Sequence, residues 1–96
     1  MDFVVIWDLE DDPEGNVQHI REHDVSIEEA EDVLLDSKSN RSVSRSSGLP
    51  TAFGRSSTGR YLAVVYEIVD DDPLTIRPVT AYEVPPPSPK RKGKKR

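Results

Sequence analysis

The sequence predicts an α+β domain in which two helices pack on one face of a mostly antiparallel sheet of about four strands. Three observations predict it: an apolar β-branched opening segment, two segments with helical spacing, and a series of strand-like segments divided by turns. The chain has 96 residues, of which 34% are hydrophobic, so we expect one domain with a small core. We assign that domain to residues 1–84.

The first half of the chain predicts a short strand and a short helix. Residues 3–7 read Phe-Val-Val-Ile-Trp, which is typical of a strand. Acids, a proline and a glycine over residues 8–15 end it. Asn16 is then a suitable N-cap for a helix over about 17–23.

A second helix is predicted over about 27–36. Ser26 and Glu29 have the Ser-x-x-Glu spacing of a capping box, which satisfies two free N–H groups at a helix start. The apolar residues then recur at helical spacing. They are Ile27, Ala30, Val33 and Leu34.

The second half predicts the sheet, with strands over 39–47, 51–55, 61–69 and 74–82. The first of these is weakly apolar and suits a sheet edge, whereas 61–69 is apolar at every central position and suits the middle of the sheet. Proline has no N–H to donate, so Pro78 predicts either a bulge or an exposed edge in the last strand.

Charge is segregated along the chain. The net charge is −5, but the segment 90–96 holds 6 of the 13 basic residues, which leaves 1–89 with 7 basic against 18 acidic residues, or −11. Residues 37–66 hold five basic residues and no acid. A chain this acidic should not attract nucleic acid through its overall field, although a local basic block still can. Residues 85–89 are rich in proline. Together with the basic segment 90–96 they form a tail over 85–96 that we expect to be disordered.

Composition also bounds the cellular setting. The chain has no cysteine, which rules out disulfides and thiolate metal sites. It has no apolar run of about 18 residues and no basic-then-apolar leader at its N-terminus. We therefore expect a cytoplasmic protein.

Six short motifs, taken in order over residues 3–83, carry a family resemblance. They are Trp7-Asp8, Asn16, His23-Asp24-Val25-Ser26, Glu28-Glu29-Ala30, Gly59-Arg60 with Val64-Val65-Tyr66, and Arg77-Pro78-Val79-Thr80-Ala81-Tyr82. With them the chain resembles the BrnT family of toxins, whose fold is RelE-like. It departs from the family pattern at Asp24, where the family has glycine, at Tyr82, where it has arginine, and at Pro85, where it often continues into a helix.

The resemblance implies a toxin of a bacterial toxin–antitoxin system that cleaves RNA as a metal-independent endoribonuclease, with no cofactor. The 2′-hydroxyl of the RNA attacks the adjacent phosphate, while the protein supplies charge and proton transfer. The implied partners are RNA, a small BrnA-like antitoxin encoded nearby and, through that antitoxin only, operator DNA. No membrane is involved, and the complex could contain a homodimer.

The resemblance and the residue types together give a set of candidate site residues. His23 would transfer a proton, since the ordinary pKa of a histidine, about 6.5, lies near neutrality. Arginine binds two phosphate oxygens at once, which favours it for the phosphate. The predicted catalytic residues are His23, Arg60 and Arg77, and the predicted RNA-binding residues are Arg45, Arg55, Tyr66 and Tyr82.

Other interpretations of these residues stay open. The arginines could be scattered surface charges, the tyrosines half-buried sheet residues, and His23 the end of a helix. His19 and His23 have the spacing of a two-histidine metal pair, but the sequence marks no third ligand. The main rival function is a family member without catalysis that binds protein or nucleic acid, which Tyr82 and the proline-rich tail favour. A third possibility is a protein that serves only as a structural partner and does not contact nucleic acid, which the charge of −11 on residues 1–89 would suit.

Overall fold

The computed structural model describes residues 3–36, 39–44 and 47–86. Within them the elements are β1 (Val4–Val5), α1 (Asn16–Glu22), α2 (Ile27–Leu35), β2 (Asn40–Val43), β3 (Pro50–Arg55), β4 (Tyr61–Asp71) and β5 (Leu74–Glu83). The predicted RNA-binding residue Arg45 lies outside the described residues, and so does the predicted tail beyond Pro86.

The strands form one sheet in the order β1-β5-β4-β3-β2. β1 pairs with β5 in parallel, and the other neighbours are antiparallel. The predicted α+β class, with both helices on one face of a mostly antiparallel sheet, is confirmed. β4 lies in the middle as predicted, because residues 62–65 are buried on both of its faces. β2 forms the predicted edge.

Pro78 produces a bulge, which is one of the two predicted outcomes. Val65 pairs with Thr80 while the next residue, Tyr66, pairs with Pro78, so Val79 is the extra residue on β5. β1 pairs with the other side of β5 only at Thr75 and Ile76, so no described strand pairs with that side at Pro78. The parallel ladder stops just before the proline, where the N–H of Ile6 donates to the carbonyl of Ile76 at 2.9 Å.

The second helix begins as predicted. The hydroxyl of Ser26 accepts the Glu29 N–H at 3.1 Å, and the Glu29 carboxylate accepts the Ser26 N–H at 3.2 Å, which completes the capping box. A carboxylate in this first turn also suits the positive end of the helix dipole.

The prediction that Asn16 caps α1 is wrong. The N-cap is Gly15, which makes no side-chain cap, and Asn16 is the first helical residue. Its buried amide instead donates to the carbonyls of Ile6 at 3.2 Å and Pro78 at 2.9 Å, and it accepts the Asp8 N–H at 2.8 Å. Asn16 therefore joins the end of β1, the bulge of β5 and the start of α1.

The two faces of the sheet differ in what lies over them. On the face that the helices cover, which we name the covered face, apolar residues of the strands pack against apolar residues of α1 and α2. These core residues are Ile20, Val25, Ala30, Val33, Leu34, Ala52, Leu62, Val64, Ile76 and Ala81. We name the other side the open face; it is formed by the strand residues that alternate with these core residues, such as Phe53, Ala63 and Val65, and α1 reaches its border beside Tyr82.

Across the described ranges, no helix has the length and apolar character needed to cross a membrane.

Candidate functional site

Arg60, a predicted catalytic residue, lies on the covered face and is fully engaged. Its Nη1 donates to the Glu29 carboxylate at 3.0 Å and to the Asp24 carbonyl at 2.7 Å. Its Nη2 lies 3.4 Å from the Glu83 carboxylate. Arg60 thereby links α2, the turn after α1 and the end of β5.

The principal partner of Arg60 is a buried carboxylate. Burial raises the pKa of Glu29, but hydrogen bonds from Thr58 and Ser26 and the charge of Arg60 lower it more, and the net pKa is below its usual value. Glu29 therefore stays ionised at neutral pH and holds the guanidinium. The arrangement gives Arg60 a structural role, because a phosphate would have to displace Glu29 to reach it.

Arg77, the second predicted catalytic arginine, lies on the other side of the sheet. It pairs with Glu67 of β4 in the register, on the open face. Its Nη2 contacts the Asp8 carboxylate at 2.6 Å, and its Nη1 lies 3.5 Å from Glu67. One third of the side chain is exposed, and the contact with Glu67 is long, so an incoming phosphate could take that position. Arg60 and Arg77 are therefore not brought together.

His23 lies at the C-terminal end of α1 and is exposed. Its ring centroid is 6.1 Å from that of Tyr82 on β5 and 5.5 Å from that of His19 one helical turn earlier. His19 and Arg77 in turn line one shallow depression at the start of α1. We name this group, His19, His23, Arg77 and Tyr82, the α1–β5 seam.

His19 is the residue that sequence reasoning missed as a site residue. The sequence shows that His19 and His23 are one helical turn apart, which is also the spacing of a two-histidine metal pair. Among the residues that the structure describes, no third histidine, cysteine or acid joins them in a group that could hold a metal ion. The structure instead places His19 between His23 and Arg77.

The other predicted RNA-binding residues divide between the two faces. Arg55 lies on the open face with its guanidinium 5.7 Å from the Tyr61 ring, and it donates to the Gly59 carbonyl at 2.9 Å. Tyr66 packs against the core on the covered face, where the guanidinium of Arg41 lies 5.9 Å from its ring. Tyr66 therefore does not share a surface with Tyr82.

The α1–β5 seam has the groups that acid–base chemistry on a phosphodiester needs. Of the neighbouring imidazoles of His19 and His23, one can accept a proton while the other donates one. The phenol of Tyr82 adds a third exposed group beside His23, and the guanidinium of Arg77 adds positive charge at the other end.

Comparison of the chain with protein-family models, with curated proteins and with solved structures found no match.

Proposed function

We propose that the chain is a toxin-like endoribonuclease of a bacterial toxin–antitoxin module, which acts on RNA in the cytoplasm without a metal. The observation that carries the proposal is the contact of His19, His23 and Tyr82 on the exposed α1–β5 seam. The resemblance to the BrnT family supports it. A small antitoxin encoded nearby would cover the seam and bind operator DNA.

The proposed reaction assigns one step to each imidazole. One of His19 and His23 accepts the proton of a 2′-hydroxyl, whose oxygen then attacks the neighbouring phosphorus and forms a 2′,3′-cyclic phosphate. The other donates a proton to the 5′ oxygen as its bond to phosphorus breaks, so protons and charge balance. Arg77 stabilises the negative charge on the phosphate, and Tyr82 orients the ribose or base next to His23.

One observation favours the rival function, a binding module without catalysis. Both arginines predicted to hold the phosphate are paired with carboxylates, Arg60 with Glu29 and Arg77 with Asp8. These pairs reduce the positive charge that catalysis would require.

The test is induced expression in a bacterial host, scored by growth and by the integrity of total RNA, followed by cleavage of RNA by the purified protein in the presence of a metal chelator. The variants are His19→Gln and His23→Gln, which keep a polar side chain but remove the titrating group. Arg21→Ala is the matched control, because Arg21 is exposed on the same helix and pairs with Glu10 outside the seam.

We expect the wild type and Arg21→Ala to stop growth and cleave RNA. Each histidine variant should lose about 100-fold or more of the cleavage rate, the size of a single acid or base contribution. Normal growth and intact RNA with abundant, folded wild-type protein would contradict the proposal. RNA binding without cleavage would establish the rival.

A further inference from the structure

The open face of the sheet presents an ordered surface whose rows follow from the strand register. Side chains of paired residues share a face, so each row runs across neighbouring strands. Three of its rows are Arg55-Tyr61, then Asn40-Phe53-Ala63-Tyr82, then Ser42-Thr51-Val65-Thr80, and the row of Glu67 and Arg77 follows. The row of Phe53, Ala63 and Tyr82 ends at the α1–β5 seam, because Tyr82 belongs to both.

The middle row, which contains Phe53, Ala63 and Tyr82, forms a shallow groove. Ala63 is fully buried between its larger neighbours, Phe53 on β3 and Tyr82 on β5. Neighbouring strands lie about 4.8 Å apart, so the two rings flank a floor made by a single methyl group. Phe53 is half-buried and Tyr82 is 38% exposed, so a planar ligand can reach both rings. Tyr61, also half-buried, lies in the next row with the guanidinium of Arg55 5.7 Å from its ring, so a base that stacks there would meet the cation as well.

Charge on these three rows is the reverse of the charge of the whole protein. Their ten positions include Arg55 and no carboxylate, although the chain has a net charge of −5. Within the described part of the chain, Arg55 pairs with no acid, unlike Arg21, Arg60 and Arg77. Its remaining donors are therefore available to an anion.

The side chains present favour nucleic acid over a protein partner. The large aliphatic side chains that are exposed, such as Leu35, Ile68 and Val69, lie outside these rows. Aromatic rings next to an arginine with free donors are instead what unpaired bases and their phosphates require.

We propose that the open face binds single-stranded RNA, with bases stacked on Phe53, Tyr61 and Tyr82 and a phosphate held by Arg55. The inference rests on the proposed function, which identifies the ligand as RNA. It adds the path by which that RNA reaches the α1–β5 seam. Only unpaired bases can stack on the rings, because the bases of a duplex already stack on each other. A strand that crosses the middle row from Phe53 to Tyr82 arrives beside His23.

The experiment measures binding of the full chain to a fluorescent 2′-O-methyl RNA by anisotropy. This RNA has no free 2′-hydroxyl and cannot be cleaved by the proposed reaction, so binding is separated from catalysis. It is presented as a 12-nucleotide single strand and as the corresponding duplex, at several salt concentrations. The stacking variants are Phe53→Leu and Tyr61→Leu, and the charge variant is Arg55→Ala.

Each variant has a matched control on the covered face. Tyr66→Leu removes a ring that packs against the core, and Arg41→Ala removes an arginine that donates to the Leu34 carbonyl. Thermal unfolding of all five variants verifies that they are folded at the assay temperature.

We expect each stacking variant to weaken single-strand binding by about 5-fold or more at every salt concentration, because stacking depends little on salt. Arg55→Ala should weaken binding mainly at low salt and reduce the salt slope by about one. The two controls should bind like the wild type, and the duplex should bind more weakly than the single strand.

Unchanged binding by folded Phe53→Leu and Tyr61→Leu would overturn the inference, as would equal or tighter binding of the duplex. If the wild type cleaves ordinary RNA while these variants bind normally, the inference fails and the proposed function stands. If the wild type binds through the rings but cleaves no RNA, the proposed function fails and the binding surface stands.

Discussion

The covered face and the open face belong to the same five strands, yet they differ in packing and in charge. The covered face is filled by the core and by the ion pair of Arg60 with the buried Glu29. The open face has half-buried aromatic rings and Arg55, which pairs with no acid in the described part of the chain. The two arginines differ in their partners: Arg60, beneath α2, is held by carboxylates, whereas Arg55 on the open face donates to a backbone carbonyl. The face alone does not decide this, since Arg77 on the open face is also held by carboxylates, those of Asp8 and Glu67.

The largest expected contrast concerns packing. Leu62→Ala removes a fully buried side chain from the covered face and should lower the free energy of unfolding by about 2–5 kcal/mol. Phe53→Leu, on the half-buried open face, should lower it by less than about 1.5 kcal/mol. Urea unfolding measures both. Equal losses would mean that the open face is packed as tightly as the core.

The next contrast compares two arginines. Arg60→Ala leaves Glu29 buried without its cation and should lower the free energy of unfolding by about 2 kcal/mol. Arg55→Ala should change it by less than about 0.5 kcal/mol, because Arg55 is exposed and pairs with no described acid. The same urea titration measures both variants. A stable Arg60→Ala protein would show that Glu29 does not depend on Arg60.

Acid should weaken the covered face selectively. The pKa of Glu29 is lowered from its ordinary value of 4.5, so its contribution to stability is complete above that pH and is lost as pH falls through the lower, folded-state value. Glu29→Gln should therefore be less stable than wild type at pH 7, and the two should converge in acid. Thr58→Val removes a hydrogen bond to Glu29, so the loss should begin at higher pH. Parallel stability curves from pH 7 to pH 3 would contradict this.

The smallest expected effect is at the turn between the helices. Asp24 has a φ of 65°, a left-handed conformation that glycine adopts at less cost. Asp24→Gly should raise the free energy of unfolding by about 0.5 kcal/mol and keep the backbone carbonyl that Arg60 contacts. Asp24→Val should lower it by about 1 kcal/mol or more, since β-branched residues strongly disfavour this conformation. Thermal unfolding compares the three proteins, and a glycine variant less stable than wild type would contradict the expectation.

Local sequence patterns predicted most of the fold, each for a local physical reason. The Ser26 and Glu29 capping box marked the start of α2, and the apolar run 61–69 marked the central strand. Pro78 predicted an irregularity because its missing N–H is a property of one residue.

The partners of the candidate site residues could not be predicted in the same way. Arg60 meets Glu29 across 31 positions of sequence, and Arg77 meets Asp8 across 69. Many acids of the chain could have paired with Arg60 or Arg77, because the charge of a residue does not show which opposite charge lies near it in space. Asn16 was misassigned for the same reason, since its partners on Ile6 and Pro78 come together only when β1 and β5 pair.

The sequence by itself determined the elements, their order and the segregation of acidic and basic residues, because these follow from propensity, periodicity and composition. Only the tertiary structure decided that Arg60 and Arg77 lie on opposite faces, that His19 joins His23 and Tyr82, and that Phe53, Tyr61 and Arg55 share an open surface. The physical reason is that strand register sets which side of the sheet each side chain faces. A shift by one residue would exchange the two faces, and that register is fixed by long-range pairing and core burial.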